Sequence, residues 1–212
     1  MITQEQFGEA LETFNTTEKR APFYDLSVGL LQNGHEIEGY ILLLAIWNTG
    51  NFRFTIKDFD INQFRETIQS LTEYFNRLTE LTFKTIDLDV HKDTICHIYN
   101  RLSSLSYVKY TGASKIMHLK NRDVFVMWDD YIGGRKTGKY YKRLPCYRRY
   151  KKYRKDATGY FQFLKDMQQS FKNINYQNHQ RTFAKAIDEF NYATITIPIQ
   201  RKEKRNRKRK SR

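Results

Sequence analysis

Cysteine and proline are scarce in this chain, whose 212 residues include two cysteines and three prolines. Cys96 and Cys146 stand far apart in unlike surroundings, so we expect no disulfide framework and an intracellular location, in the cytoplasm or nucleoid. Cys96 lies between His91 and His97, but no other ligand pair has the spacing of a zinc site, and we expect no metal and no cofactor. Long apolar runs and the order of a signal peptide are missing too, which predicts no membrane partner.

Acidic residues are almost missing from two stretches rich in lysine and arginine. Residues 135–155 hold 11 basic side chains and no acidic one, and residues 201–212 hold nine basic side chains and Glu203. The rest of the chain has 17 basic against 22 acidic side chains, so the body is slightly acidic although the whole protein carries +14. Clustered positive charge attracts polyanions, most commonly the phosphate backbone of nucleic acid and otherwise an anionic membrane surface.

Helical periodicity dominates the remaining sequence. Residues 36–48 are apolar on nearly every side, as in a buried helix, and Asp60 has the position of a helix cap. Only residues 193–199 alternate like a strand, where Pro198 argues against a central place in a sheet. The ranges with apolar residues at helical spacing are 62–78, 94–102, 115–119, 158–174 and 183–190.

We therefore predict an all-α fold. Residues 1–200 would form a single helical domain or two helical lobes, with a basic insertion at 135–155. Residues 201–212 contain no apolar side chain. We expect that tail to be disordered, because it has nothing to bury.

The most specific pattern spans residues 107–132. A glycine-containing turn around Gly112 leads into a predicted helix that begins near Lys115, an apolar run follows, and the run ends at Asp129. This order resembles the helix-hairpin-helix DNA glycosylase superfamily, in which a hairpin of the type L-x-G-x-G-x-K precedes one helix and an apolar stretch that ends in Asp. By the same resemblance, residues 36–48 correspond to the early buried helix of that fold.

The resemblance implies a base-excision DNA glycosylase with lysine-mediated AP lyase activity. Lys115 would attack the sugar C1′, and Asp129 would activate it or stabilise the oxocarbenium ion. The target base would leave the stack and enter a pocket with aromatic walls, for which Trp47, Trp128 and Tyr131 are the candidates.

Simpler explanations of the same residues stay open at this stage. Lys115 could be a solvent-exposed lysine in the first turn of a helix, and Asp129 could be a plain N-cap. Asp130 is the competing acid. His118 fits a packed or surface histidine better than a catalytic base, and Trp128 fits a core residue.

The basic segment 135–155 also carries five tyrosines among its cations. Because Arg and Lys neutralise phosphate while Tyr stacks on bases, we predict nucleic-acid contact there, with double-stranded DNA as the first expected partner. The predicted contact residues are Gly112, Ser114, Arg135, Lys136, Lys139, Lys142, Arg143, Arg148, Arg149, Lys151, Lys152 and Arg154.

Two classes of function follow. The first is a DNA-binding glycosylase of the hydrolase and lyase kind, active in DNA repair. The alternative is a non-catalytic protein that binds DNA or RNA on the same scaffold, and an RNA-processing factor ranks third. In each case the basic tail would add affinity that falls steeply with salt.

Overall fold

The computed structural model describes residues 2–134, 152–178 and 180–210. The helices of the first range are α1 (Gln4–Thr17), α2 (Ala21–Gln32), α3 (Glu36–Trp47), α4 (Thr49–Thr55), α5 (Ile61–Ser70), α6 (Thr72–Asn76), α7 (Lys92–Ser103) and α8 (Lys109–Lys120). The helices of the other two ranges are α9 (Ala157–Phe171), α10 (Phe183–Asn191) and α11 (Ile197–Lys210). The all-α prediction is confirmed for these ranges, which contain no strand. Across the same ranges, no helix is both long and apolar enough to cross a membrane.

Side chains at helix starts determine where several helices begin. Asp60 accepts hydrogen bonds from the N–H groups two and three residues further on, at 2.9 and 3.0 Å, which confirms its predicted role as the cap of α5. Asp156 and Thr182 cap α9 and α10 in the same way. Each such cap stabilises its helix by roughly 1 kcal/mol, because it satisfies a backbone donor that has no partner within the helix.

One hydrophobic core joins helices from both ends of the chain. The Phe7 ring of α1 lies 5.8 Å from the rings of Phe171 and Phe190, measured between centroids. The Trp128 side chain is packed among the rings of α7 and α9, 5.3 Å from that of Tyr160. The first helix therefore packs against α9 and α10, whereas the choice between one domain and two lobes stays a prediction.

The predicted strand at 193–199 is wrong. A π-helical turn, Tyr192–Thr196, follows α10 and continues directly into α11. Alternation suggested one buried face, but residues 193, 195, 196, 197 and 199 are all buried, so both sides of this segment pack inward. Pro198 has no N–H for the usual helical bond, and a π-helical turn is one way in which a helix absorbs such a break.

The basic tail is also different from the expectation, because α11 runs to Lys210. The prediction of disorder is wrong for residues 201–210, and residues 211–212 lie outside the described part of the chain. The helix is anchored at its start by buried Ile197 and Ile199. Further along, the Glu203 carboxylate accepts a hydrogen bond from the Tyr131 hydroxyl at 3.0 Å. Lysine and arginine are good helix formers once such anchors exist.

Helix α8 begins six residues before the predicted start, at Lys109. The predicted turn around Gly112 is therefore wrong, and the turn before α8 consists of residues 104–108. Lys109 has a φ of 53°, a left-handed conformation unusual for a side-chain-bearing residue. A Cβ at position 112 would lie 3.0 Å from the side chains of Leu44 and Asn48. Glycine at 112 thus permits close packing of α8 on α3 rather than a hairpin.

Candidate functional site

Two asparagines after α3 hold the turn 104–108 in place. The Asn48 amide donates to the Val108 carbonyl at 3.1 Å, and the Asn51 amide donates to the carbonyls of residues 106 and 107 at 3.3 and 3.1 Å. The side-chain oxygen of Asn48 accepts from the Thr111 hydroxyl at 2.7 Å. These bonds fix the start of α8, and hence the side chains that α8 carries, relative to α3.

The segment 124–128 is attached to α8 by Ser114. The Ser114 hydroxyl, which is fully buried, lies 3.3 Å from both the backbone nitrogen and the carbonyl oxygen of Trp128. It also donates to the Thr111 carbonyl at 3.0 Å. This serine therefore sets the distance between the helix and the end of the segment, where Asp129 follows.

His118 makes the second attachment, one helical turn further along α8. Its Nδ1 bonds the Phe125 carbonyl and therefore carries the proton, while Nε2 accepts from the Tyr24 hydroxyl at 2.7 Å. Burial lowers the pKa of His118 to about 4, so the ring is neutral at neutral pH. The histidine links α2, α8 and the segment 124–128, which fits the expectation of a packed residue rather than a base.

Lys115 is buried, with 4% of its surface exposed. Its Nζ donates to the carbonyl oxygens of Thr111 and Trp128, at 3.3 and 3.4 Å. The alternative of a solvent-exposed lysine in a first helical turn is therefore wrong. The second of these carbonyls belongs to Trp128, the residue directly before Asp129. The Lys115 amino group is therefore held close to Asp129.

The Asp129 carboxylate is held by backbone and hydroxyl donors. One oxygen accepts from the N–H groups of Tyr131 and Ile132, both at 2.7 Å, and the other accepts from the Thr196 hydroxyl at 3.2 Å. Burial raises the pKa of Asp129, although the Ile132 N–H and the charge of Lys115 act in the opposite direction. Asp129 thus caps a turn and not the helix that the simpler explanation expected, and it also lies within electrostatic range of Lys115.

Both residues line one cleft with a volume of about 560 Å³. Typical ligand sites have volumes of roughly 300–1,000 Å³. The cleft lies between α3, α8, the segment after α8 and the start of α11, and its charged lining residues are Arg20, Lys109, Lys115, Lys155, Lys185, Asp129, Asp130 and Asp188. The structure therefore brings together the lysine and the acid that the sequence pattern paired.

The rim of the cleft is where the basic segment begins and ends. The backbone N–H of Tyr153 donates to the Gly133 carbonyl at 3.2 Å. The residues on either side of the segment 135–151 are therefore next to each other. Lys155 then lies 4.7 Å from the centre of the Tyr110 ring and 4.0 Å from an Asp130 oxygen. The Tyr110 hydroxyl donates to that oxygen at 2.6 Å. Asp130, the competing acid, is thus engaged in a rim network.

A buried ionic cluster on α10 was not foreseen from the sequence. Lys185 Nζ lies 2.9 Å from an Asp188 oxygen and 3.4 Å from a Glu189 oxygen. Burial opposes its charge, but the two acids outweigh burial and raise the pKa of Lys185. The i,i+3 and i,i+4 spacing of these residues is visible in the sequence, but charged residues on a short helix are ordinarily assigned to a solvent face, so the sequence did not show that they are buried. Lys185 and Asp188 both line the cleft.

Arg20 is a second contributor that the sequence did not reveal. Its guanidinium makes two hydrogen bonds to the Glu18 carboxylate, at 2.6 and 2.7 Å, and donates to the Tyr192 hydroxyl at 2.7 Å. It lies 5.6 Å from the centre of the Trp47 ring. Arg20 therefore joins the start of α2, the end of α3 and the π-helical turn at the cleft.

The three predicted base-pocket aromatics have different positions. Trp47 and Tyr131 are half-buried and line the cleft. Trp128 contributes to its lining, but only 1% of the residue is exposed and its Nε1 donates to the Tyr110 carbonyl at 3.1 Å. Trp128 is a core residue, so its prediction as a stacking surface for a base is wrong.

The predicted nucleic-acid contacts on α8 are also corrected. Ser114 is fully buried, and the Gly112 N–H donates to the Val108 carbonyl within the helix at 3.2 Å, so neither presents a donor to phosphate. Lys152 and Arg154 are exposed, as expected. The remaining predicted contacts lie outside the described residues: Arg135, Lys136, Lys139, Lys142, Arg143, Arg148, Arg149 and Lys151.

One tyrosine of the basic segment belongs to the core. Tyr153 is 4% exposed, its hydroxyl donates to an Asp166 oxygen at 2.8 Å, and its ring packs against Phe163. It does not stack on a base, and it anchors the returning chain instead. Within the described part of the chain, no three His, Cys, Asp or Glu side chains are grouped as metal ligands.

Comparison of the chain with family models, with curated proteins and with solved structures finds no match.

Proposed function

We propose that this protein binds double-stranded DNA and removes a damaged base in the cleft, with Lys115 as the nucleophile and Asp129 as its carboxylate partner. The observation that carries this proposal is their position in one cleft of about 560 Å³. The basic segment 135–155 begins and ends at the rim of that cleft, which favours a polyanionic substrate.

The walls of the cleft support a base-binding role. Trp47 and Tyr131 offer half-buried aromatic surface, and Asn51 and Thr111 add polar side chains. A flipped base needs aromatic or apolar faces to replace its stacking partners and a few polar groups to bind its edge. The cleft has both.

The chemistry begins with the loss of a proton from Lys115, because only a neutral amine attacks carbon. Asp129 is the nearby acceptor, and its raised pKa makes it a stronger base than an ordinary aspartate. Attack of Nζ on C1′ breaks the N-glycosidic bond, and the bonding pair leaves with the base, which takes up a proton. The sugar ring then opens to a Schiff base, and β-elimination breaks the bond to the 3′ phosphate.

Borohydride trapping tests the enzymatic proposal. Wild-type protein mixed with duplexes that carry a panel of lesions should give a reduced covalent adduct and released base. Lys115→Gln should give no adduct, whereas Lys109→Gln, which changes an exposed lysine of the same cleft, should give one. Absence of both an adduct and base release across the panel would refute the enzymatic proposal.

A second candidate is a non-catalytic DNA- or RNA-binding protein on the same scaffold. It is favoured by the two carbonyl oxygens that accept from Lys115 Nζ, because such acceptors stabilise the charged amine. For this candidate, Lys115→Gln and Asp129→Asn leave binding unchanged. Competition between duplex DNA, single strands and structured RNA separates DNA binding from RNA binding.

A further inference from the structure

Helix α11 leaves the body of the protein at the wall of the cleft. Thr196, in the π-helical turn before it, donates to Asp129 at 3.2 Å. Gln200 lines the cleft, and one turn later Glu203 accepts from the Tyr131 hydroxyl at 3.0 Å. Burial and the Glu203 carboxylate together raise the pKa of Tyr131 to about 12, so the phenol keeps the proton that it donates.

The outward side of α11 carries a stripe of exposed cations, which we call the cationic stripe. Its members are Arg201, Lys204, Arg205, Lys208 and Arg209. With 3.6 residues per turn they fall within an arc of about 140° and extend over about 12 Å along the helix. Like charges three and four residues apart repel each other, and a polyanion that lies against the stripe relieves this repulsion.

We propose that α11 is a phosphate-binding arm, which the Glu203–Tyr131 hydrogen bond clamps beside the cleft so that the cationic stripe lies along the backbone of a duplex that enters the cleft. This inference rests on the proposed nucleic-acid binding and not on catalysis.

The composition of α11 favours a duplex over a membrane as the polyanion. Residues 200–210 contain no apolar side chain, whereas helices that lie on membranes insert an apolar face. A duplex presents one charge per 1.7 Å, or about seven charges over the length of the stripe. The five cations lie about 3 Å apart along the helix axis, which is close to the ~3.4 Å between successive phosphates of one strand.

Glu203 distinguishes a clamped arm from a loose tether. It is the acidic residue of an otherwise basic segment, so its removal makes a tether more positive and strengthens binding. If Glu203 clamps the arm, its removal weakens binding even though the charge has become more favourable. Glu203→Ala removes both the charge and the acceptor, whereas Glu203→Gln removes the charge and keeps an oxygen that can accept from Tyr131.

Fluorescence anisotropy with an undamaged duplex oligonucleotide, over a range of salt concentrations, is the first test. Changing all five cations of the stripe to Gln should reduce the magnitude of the slope of log K against log salt by about 2 to 4, since each lost phosphate contact removes about 0.9. The matched control changes five exposed cations that do not line the cleft, namely Arg65, Arg77, Lys92, Arg101 and Lys172, to Gln. If the slope changes no more than it does in the control variant, the proposal that α11 binds phosphate is wrong.

The paired Glu203 variants are the second test. Glu203→Ala should weaken duplex binding roughly fivefold, the value of a typical lost hydrogen bond, and Glu203→Gln should bind at least as tightly as wild type. Tighter duplex binding by Glu203→Ala would show that Glu203 does not clamp α11.

Vesicles of phosphatidylserine test the membrane alternative with the stripe variant. If this variant loses binding to the vesicles but keeps its binding to the duplex, α11 binds a membrane and the proposal is wrong. Because no lesion is used, these results are independent of base release and of adduct formation.

Discussion

At the scale of single residues, Asp129 has a structural role, and the proposed function gives it a chemical one as well. Its two oxygens bind the N–H groups of Tyr131 and Ile132 and the hydroxyl of Thr196. These three donors orient the carboxylate, and burial makes it more basic than an ordinary aspartate. One side chain thereby fixes the turn after the segment 124–128 and presents a proton acceptor near Lys115.

Asp129→Asn should slow adduct formation by a factor of about 100 or more, because the amide cannot accept the proton or offset positive charge at C1′. Single-turnover borohydride trapping measures this rate. The control is Asp130→Asn, since Asp130 lines the same cleft but binds Tyr110 and Lys155. An equal loss in both variants would mean that Asp129 has no special role.

His118 makes stability depend on pH. Its pKa is about 4 in the folded protein against 6.5 for an ordinary histidine, so the unfolded chain binds more protons between these values. Stability therefore falls as pH falls from about 6.5 to about 4, by about 3 kcal/mol for this group. Urea unfolding of wild type and His118→Asn at several pH values checks it. The variant should lose less stability on acidification, and parallel curves would contradict this explanation.

At the scale of elements, the contact between α3 and α8 depends on Gly112. Gly112→Ala places a methyl group 3.0 Å from Leu44 and Asn48 side-chain atoms, so it should destabilise the fold by about 1–3 kcal/mol. Gly8→Ala is the matched control, because no atom lies within 4 Å of a Cβ there, in the middle of α1. It should stabilise the fold by about 0.5–1 kcal/mol. Thermal unfolding measures both changes, and equal effects would contradict the packing role.

Periodicity and capping made most elements predictable, and the exceptions have physical causes. The start of α5 followed from Asp60, whose side chain acts on N–H groups only two and three residues away. The start of α8 could not be predicted in this way. Glycine in a sequence usually indicates a turn, but Gly112 is required here because α8 packs closely on α3, which lies 60 or more residues earlier in the chain. The strand prediction for 193–199 was wrong because apolar residues alternate along this segment, whereas the segment is helical and packs inward on more than one side.

The site shows the same division between local and distant causes. The pairing of Lys115 with Asp129 could be suggested from the sequence because the two residues are only 14 positions apart. The ion pairs of Lys185 have the i,i+3 and i,i+4 spacing of one helix, but their burial depends on helices that are distant in sequence, as does the contact of Arg20 with Tyr192.

At the scale of the whole molecule, positive charge is concentrated on two elements that both begin at the cleft. The chain enters and leaves residues 135–151 beside Gly133, and α11 starts at Ile197, directly after the π-helical turn. The rest of the chain is slightly acidic and therefore offers a polyanion no net attraction. This distribution favours approach of nucleic acid to the cleft from one direction.

Neutralising Arg148, Arg149, Lys151 and Lys152 with Gln should weaken duplex binding and reduce the magnitude of the salt slope by about 3 to 4. The effect should add to that of the α11 variant, since the two charge blocks would contact separate phosphates. Anisotropy titrations of the single and combined variants measure both quantities. An unchanged salt slope would exclude residues 135–155 from the interface.

The most direct measurement is the identification of the residue that carries a borohydride-reduced adduct. Trapped protein on lesion-containing duplex is digested, and mass spectrometry locates the modified amine. The cleft geometry, with Lys115 buried beside Asp129, predicts that the sugar remnant is attached to Lys115. An adduct on Lys109, Lys155, Lys185 or the N-terminal amine would contradict the assignment of Lys115 as the nucleophile.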